Sequence, residues 1–145
     1  MLAFDYGEKR IGVAVGDTQI KIAHPIDTIL VKGEKDLVSR IQELLKEWQP
    51  DILIVGWPVK YDGEEHALAK KINNFCKLLH NISNLKVKLV DERYRSFEAE
   101  QKLKSVDIGG VRAKQYLDEL SAAAILEVFF TGISEPVSKE MVHKY

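Results

Sequence analysis

The sequence holds one cysteine, Cys76, so neither an internal disulfide nor a thiolate zinc site can be built from it. That usage fits a reducing compartment. It has no apolar run near the roughly 20 residues that span a bilayer, and no basic stretch precedes an apolar one at the N-terminus. No membrane partner and a cytoplasmic location are therefore expected. A charge excess is also lacking: 21 Lys and Arg stand against 22 Asp and Glu, for a net charge of −1. A protein that coats nucleic acid indiscriminately carries a pI above roughly 9, whereas the pI here is about 6.4. Any contact with nucleic acid must run through a local patch or a bound metal. There is no internal repeat and no low-complexity segment. The 145 residues, 46% of them hydrophobic and 30% charged, suit one globular domain with a real core.

What is present opens with Leu2-Ala3-Phe4, a buried strand ending at Asp5. Gly7 permits a tight turn, and Arg10 to Gly16 returns as a second strand. Ile20 to Leu30 carries Pro25 in its middle, which suits an edge strand or one with a bulge. Glu34 to Trp48 is the clearest helix, with Leu37, Val38, Ile41, Leu44, Leu45 and Trp48 on one face and Pro50 as its stop. Asp51 to Gly56 is nearly all apolar, the pattern of a central parallel strand. The loop Trp57 to Gly63 leaves its carboxyl end, the edge at which open α/β sheets bind ligands. Trp57 reads as packing and Lys60 as a substrate contact.

Glu64 to His80 forms a second helix with Leu68, Ile72, Phe75, Cys76 and Leu79 inward. Lys70, Lys71 and Lys77 fall on solvated faces. Lys86 to Asp91 alternates into a strand followed directly by Glu92-Arg93-Tyr94-Arg95. Ser96 suits the N-cap of a helix from Phe97 to Lys104. Val111 to Thr131 is a long last helix with Leu117, Leu120, Ala124 and Val128 inward, and Gly132 stops it. The order predicts an α/β fold, one mixed sheet with helices on its faces. The expected domain is 1–132, with 133–145 as a loose C-terminal tail.

Three acids sit where packing does not call for one: Asp5 at the end of a core strand, Glu92 after another, and Asp118 on the inward face of the last helix. An unpaired buried carboxylate costs several kcal/mol, roughly, so Asp5 needs a cation, a donor or water. Gly7 and Gly12 flank it, and a phosphate or metal could approach the backbone there. Three carboxylates brought together repel and call for a cation. Without clustered cysteines or paired histidines the ligands are hard oxygens, which points to Mg²⁺ or Mn²⁺. Two such ions roughly 4 Å apart are a common arrangement for phosphodiester cleavage. Ser121 and Ala122, one turn after Asp118, are small enough to let the helix come close to the strand ends. Each acid also has a plainer reading. Asp5 suits a hairpin turn, Asp118 suits a rim position paired with Lys114 one turn earlier, and Glu92 suits a strand terminator paired with Arg93 or Arg95.

Asp5-Tyr6-Gly7 with Lys9 to Val15, Ile54 to Pro58 with Asp62-Gly63, Asp91-Glu92-Arg93, and Asp118 with Ser121-Ala122 together resemble the YqgF/RuvX family. Four motifs in order cover Leu2 to Thr131. The resemblance implies a ribonuclease H-like fold related to RuvC: a mixed five-stranded sheet, three antiparallel strands first and then parallel ones, with helices on both faces. It implies a divalent-metal-dependent nuclease that matures the 5′ end of pre-16S ribosomal RNA, or a Holliday junction resolvase. Carried over by residue, Asp5, Glu92 and Asp118 become the catalytic, metal-binding acids. Lys9, Arg10, Lys60 and Arg93 become the substrate-binding cations. The partners implied are structured RNA or branched DNA, ribosomal precursors, and for symmetric junction cutting a homodimer rather than a monomer. The sequence departs from the family at Trp57, where Leu is usual, and at Lys60, where Asn is usual. RuvC's further acid on the last helix is replaced by Ser121. Two other classes stay open: a non-catalytic RNA-binding adaptor on a retained fold, and an ATP-binding module of the actin-like kind, for which no P-loop is present.

Overall fold

β1 (Leu2–Asp5) turns through Gly7 into β2 (Arg10–Asp17), which returns as β3 (Ile22–Leu30). The computed structural model describes residues 1–57, 65–91 and 111–131. After β3 come α1 (Glu34–Trp48), β4 (Leu53–Trp57), α2 (Glu65–Ser83), β5 (Val87–Asp91) and α3 (Val111–Thr131). The strands lie in the order β3-β2-β1-β4-β5. β2 pairs antiparallel with both β1 and β3, and the β1–β4 and β4–β5 pairs are parallel. This is the mixed sheet that the motif order implied.

Position in the sheet explains the composition of each strand. β1 lies between β2 and β4, and Leu2, Ala3 and Phe4 are fully buried, so no polar residue is tolerated before Asp5. β3 is an outer strand. Its register slips where Val13 pairs with Asp27 but Ala14 pairs with Pro25, which leaves Ile26 without an opposite residue. Proline has no N–H for a ladder, so a bulged edge is where it fits.

Period-two alternation splits the core between two faces. Leu2, Phe4, Ile11, Val13, Val55 and Leu89 face α1 and α2, which contribute Leu37, Ile41, Leu44, Ile72, Phe75, Cys76 and Leu79. Ala3, Ala14, Ile54 and Val90 face α3, which contributes Ala122, Ile125, Leu126 and Val128. The α3 face is rich in small residues, and the helix settles into the trough they leave. Burial consequently runs unbroken from Ser121 to Leu126. That corrects the expected stripe, in which Leu117 and Leu120 were inward; both are half-buried. Trp48, at the end of the α1 stripe, is 41% exposed.

Other boundaries move slightly. The turn after β2 continues through Lys21, which adopts a left-handed φ of 54°, so β3 begins at Ile22. α2 runs a turn past His80 to Ser83, whose hydroxyl donates to the Leu79 carbonyl at 2.7 Å. The expected helix over 97–104, the loop residues 58–63, Gly132 and the tail 133–145 lie outside the described residues.

Candidate active site

Asp5 leaves the carboxyl end of β1 in register with Gly12 of β2, and Gly12 is in register with Thr28 of β3. Opposed residues of an antiparallel pair point to the same face. Asp5, Gly12 and Thr28 therefore form one row on the side covered by α3. The helix crosses that row at Gln115, Asp118 and Glu119, spaced i, i+3, i+4. Thr28 donates its hydroxyl to the Gln115 carbonyl at 2.6 Å and lies 3.2 Å from Glu119 Oε2. A Cβ placed on Gly12 would fall 1.9 Å from the Asp118 carbonyl oxygen and 2.3 Å from its carbon. Only glycine permits this approach of helix backbone to strand. What comes close to Gly12 is thus the helix itself, not the phosphate or metal for which the sequence left room. The row brings Asp5 and Asp118, 113 positions apart by their numbering, to one face at one end of the sheet.

Arg10 opens β2 beside this row. Its Nε donates to Asp118 Oδ2 at 2.8 Å, with the two side chains 34% and 23% exposed. Asp118 is therefore held by a cation across the sheet; the side chain of Lys114, the alternative partner, lies outside what is described. A guanidinium has five N–H donors, so Arg10 can hold Asp118 and still present donors to a phosphate. Lys9 is exposed, and its carbonyl accepts the Val31 N–H at 2.9 Å, tying the β1–β2 turn to the end of β3. The same turn is anchored to α2 through Glu8, whose carboxylate pairs with the Lys71 ammonium at 2.8 Å. That hydrogen-bonded pair holds Glu8 below the usual carboxylate range and raises Lys71.

Glu119 behaves differently from its neighbour. Burial raises its pKa above the usual value, and the charges of Asp27 and Asp118 raise it further, against a lowering by the Thr28 hydrogen bond. Asp27 is itself paired with Arg40. Thr28, Gln115 and Glu119 carried no signal in the sequence, because their role is to fix where α3 crosses β2 and β3. Trp57 packs against the α1/α2 side of the core, as its packing reading held. Cys76 is buried there too. Asp91, the last residue of β5, is fully buried and pairs in register with Trp57. Glu92, Arg93 and Lys60 lie outside the described residues. Among the described residues no three His, Cys, Asp or Glu side chains group as a metal site.

With this geometry the chain matches the family model described as RuvX, Holliday junction resolvase, over residues 1–132. The chain belongs to the RuvX family. A relative from Methylobacillus flagellatus is 44% identical to this RuvX chain over 134 residues, covering 92% of each. One from Chromobacterium violaceum is 45% identical over 130 residues, covering 89% of this chain and 95% of its own. Both bear the name "Putative pre-16S rRNA nuclease". Among solved structures, the chain is similar to T. thermophilus RuvC in complex with a Holliday junction substrate. The TM-score is 0.58 at 15% identity, covering 92% of this chain and 98% of that one. That likeness shows the fold: RuvX shares the ribonuclease H-like architecture of RuvC. Family and fold together make the protein a nuclease, a hydrolase of phosphodiester bonds.

Proposed function

We propose that this RuvX chain processes the 5′ end of pre-16S ribosomal RNA as a Mg²⁺- or Mn²⁺-dependent nuclease of the cytoplasm, with residues 1–132 as the nuclease domain and 133–145 as a tail. The observation that carries the reading is the shared face of Asp5 and Asp118 at the carboxyl edge of the sheet, with Arg10 bonded to the second acid. The donor chemistry fits a hard dication. Mg²⁺ is commonly bound by one or two carboxylates plus substrate phosphate and keeps several waters. Asp5, Asp118 and Glu92 are the residues that would hold it. Such an ion supplies Lewis acidity, which readies water for attack on phosphorus and offsets charge on the departing oxygen.

The remaining work falls to the chain. Arg10 keeps the Asp118 carboxylate oriented and turns its other donors to a phosphate oxygen, a task suited to its planar fork. Lys9, Lys60 and Arg93 contribute further phosphate contacts. The near-neutral net charge limits indiscriminate binding and favours a structured or partner-delivered RNA. The family description favours one other reading, cleavage of four-way DNA, which would need two active sites in a homodimer.

The test is metal-dependent cleavage of a labelled pre-16S 5′ leader and a four-way DNA junction in parallel, by the wild type, Asp5→Asn and Glu92→Gln. Leader cleavage by the wild type, reduced at least a thousandfold in both variants with unchanged circular dichroism, is expected. Junction cleavage alone would replace the RNA reading with the resolvase. Cleavage undiminished in both variants would remove the acids from the site. A cellular effect that survives Asp5→Asn would point to an adaptor.

A further inference from the structure

The sheet edge that carries Asp5 also opens on its other side, toward α1 and α2, into a cleft of about 290 Å³. Tyr6, the residue after Asp5, lines it together with Phe75 of α2, their ring centroids 5.1 Å apart at 42°. Leu37 adds apolar surface, and Asn74, Lys71 and Glu34 supply the polar groups. Asn74 and Lys71 lie on α2, and Lys71 is the partner of Glu8. The volume lies just below the roughly 300–1,000 Å³ of drug-sized sites, so it suits one ring system rather than an extended ligand.

The lining specifies the ligand further. Phe75 is only 3% exposed and backs the half-buried Tyr6 ring, so Tyr6 is the aromatic surface that can accept the flat face of any base. The Asn74 amide offers both a donor and an acceptor to a base edge. The Glu34 carboxylate accepts only, so it favours a base with an exocyclic amine, as carboxylates do toward cytosine. Lys71 of the lining is already bonded to Glu8, and Glu34 balances its charge, which disfavours a phosphate inside the cleft. A nucleotide would therefore enter base first and leave its phosphate outside. Asp5 and Tyr6 are consecutive, with Cα atoms about 3.8 Å apart. Asp5 serves the α3 face, while Tyr6 packs against the α1/α2 core. A strand bent over this edge would place a base on one side and its neighbouring phosphate on the other.

We infer that the Tyr6–Phe75 cleft takes an unpaired, amino-bearing base of the substrate strand, adjacent to the phosphate that Asp5 and Asp118 face. The inference rests on the nuclease reading and adds a base preference to it. The experiment measures binding of fluorescein-labelled five-nucleotide oligo-C and oligo-U RNA to the full chain by anisotropy in EDTA, where no cleavage occurs. Asn74→Trp fills the cleft from the α2 side, and Glu34→Gln removes the carboxylate. Oligo-C is expected to bind at least about fivefold more tightly than oligo-U, in line with the worth of one charge-assisted hydrogen bond from the cytosine amine to Glu34. Asn74→Trp should weaken oligo-C binding by a similar or greater factor with unchanged thermal stability, and Glu34→Gln should abolish the C-over-U preference. Equal affinity for both RNAs, or wild-type affinity in Asn74→Trp, would overturn the inference. Free CMP binding as tightly as the oligonucleotide would overturn the assignment to a strand. Cleavage assays separate the two readings. A wild type that cleaves but shows no base preference loses only the cleft, whereas base preference without cleavage by the wild type loses only the nuclease.

Discussion

Gly12→Ala adds one methyl group where α3 crosses β2, at a point with no room for it. The new Cβ would stand 1.9 Å from the Asp118 carbonyl oxygen, a separation that real Cβ atoms do not show. Both partners are backbone, so no rotamer relieves the contact. The helix must retreat by about 1 Å or the strand must bend, as van der Waals repulsion demands. Overpacking of this kind costs about 1–3 kcal/mol. In a chain of this size each kcal/mol shifts Tm by roughly 2–4 °C, so a loss of roughly 2–12 °C is expected by differential scanning calorimetry. The helix that retreats also carries Asp118. A 1 Å misplacement costs on the order of a hundredfold in rate, so metal-dependent cleavage should fall about that far at a temperature where the variant is fully folded. Wild-type Tm with wild-type cleavage would refute the close crossing of α3 and β2. A lowered Tm with full cleavage would leave the crossing intact and refute the dependence of the chemistry on Asp118's position.

Two other predictions concern titratable groups on opposite faces of the sheet. Glu119 has a folded pKa raised chiefly by burial, above its ordinary 4.5. Its ionisation therefore opposes folding once pH exceeds the folded value, and the penalty is absent below the unfolded value. Glu119→Gln, whose amide can still bond the Thr28 hydroxyl, should raise Tm at pH 7, and the gain should vanish as pH falls below about 4.5; a gain that is independent of pH would refute this origin. Burial pushes the Cys76 thiol up to about 12. Alkylation by iodoacetamide at pH 8 should be on the order of a thousandfold slower in the native protein than in urea, and equal rates would place Cys76 outside the core.

The legible parts of the chain were those where one local requirement acts. α1 spans Glu34–Trp48 as its periodicity predicts, because a single buried stripe dictates its apolar spacing. β1 and its terminal acid were legible because a central strand excludes polar residues until it leaves the sheet. Pro25 announced an edge. The arrangement that holds Asp118 was not legible. Gly12 looks like any turn-flanking glycine until a helix more than 100 residues later is laid across it, and Arg10 looks like a phosphate ligand until its partner 108 positions away is known. Thr28 and Glu119 are ordinary edge-strand and helix residues whose importance exists only at the crossing. The burial of α3 was misjudged for the same reason: the trough of Ala3, Ala14 and Gly12 is a property of paired strands together, not of the helix.

The bulge at Pro25 has a consequence for self-association. An outer strand with evenly spaced, unsatisfied amides is a template on which another chain can add. β3 lacks an amide hydrogen at Pro25 and loses its regular spacing at Ile26. A neighbouring molecule therefore finds no continuous ladder along this margin, and runaway sheet extension is discouraged at one side of the protein during folding as well as after it. A dimer built for two-fold symmetric cutting would have to meet away from β3, through helices, loops or the opposite outer strand β5.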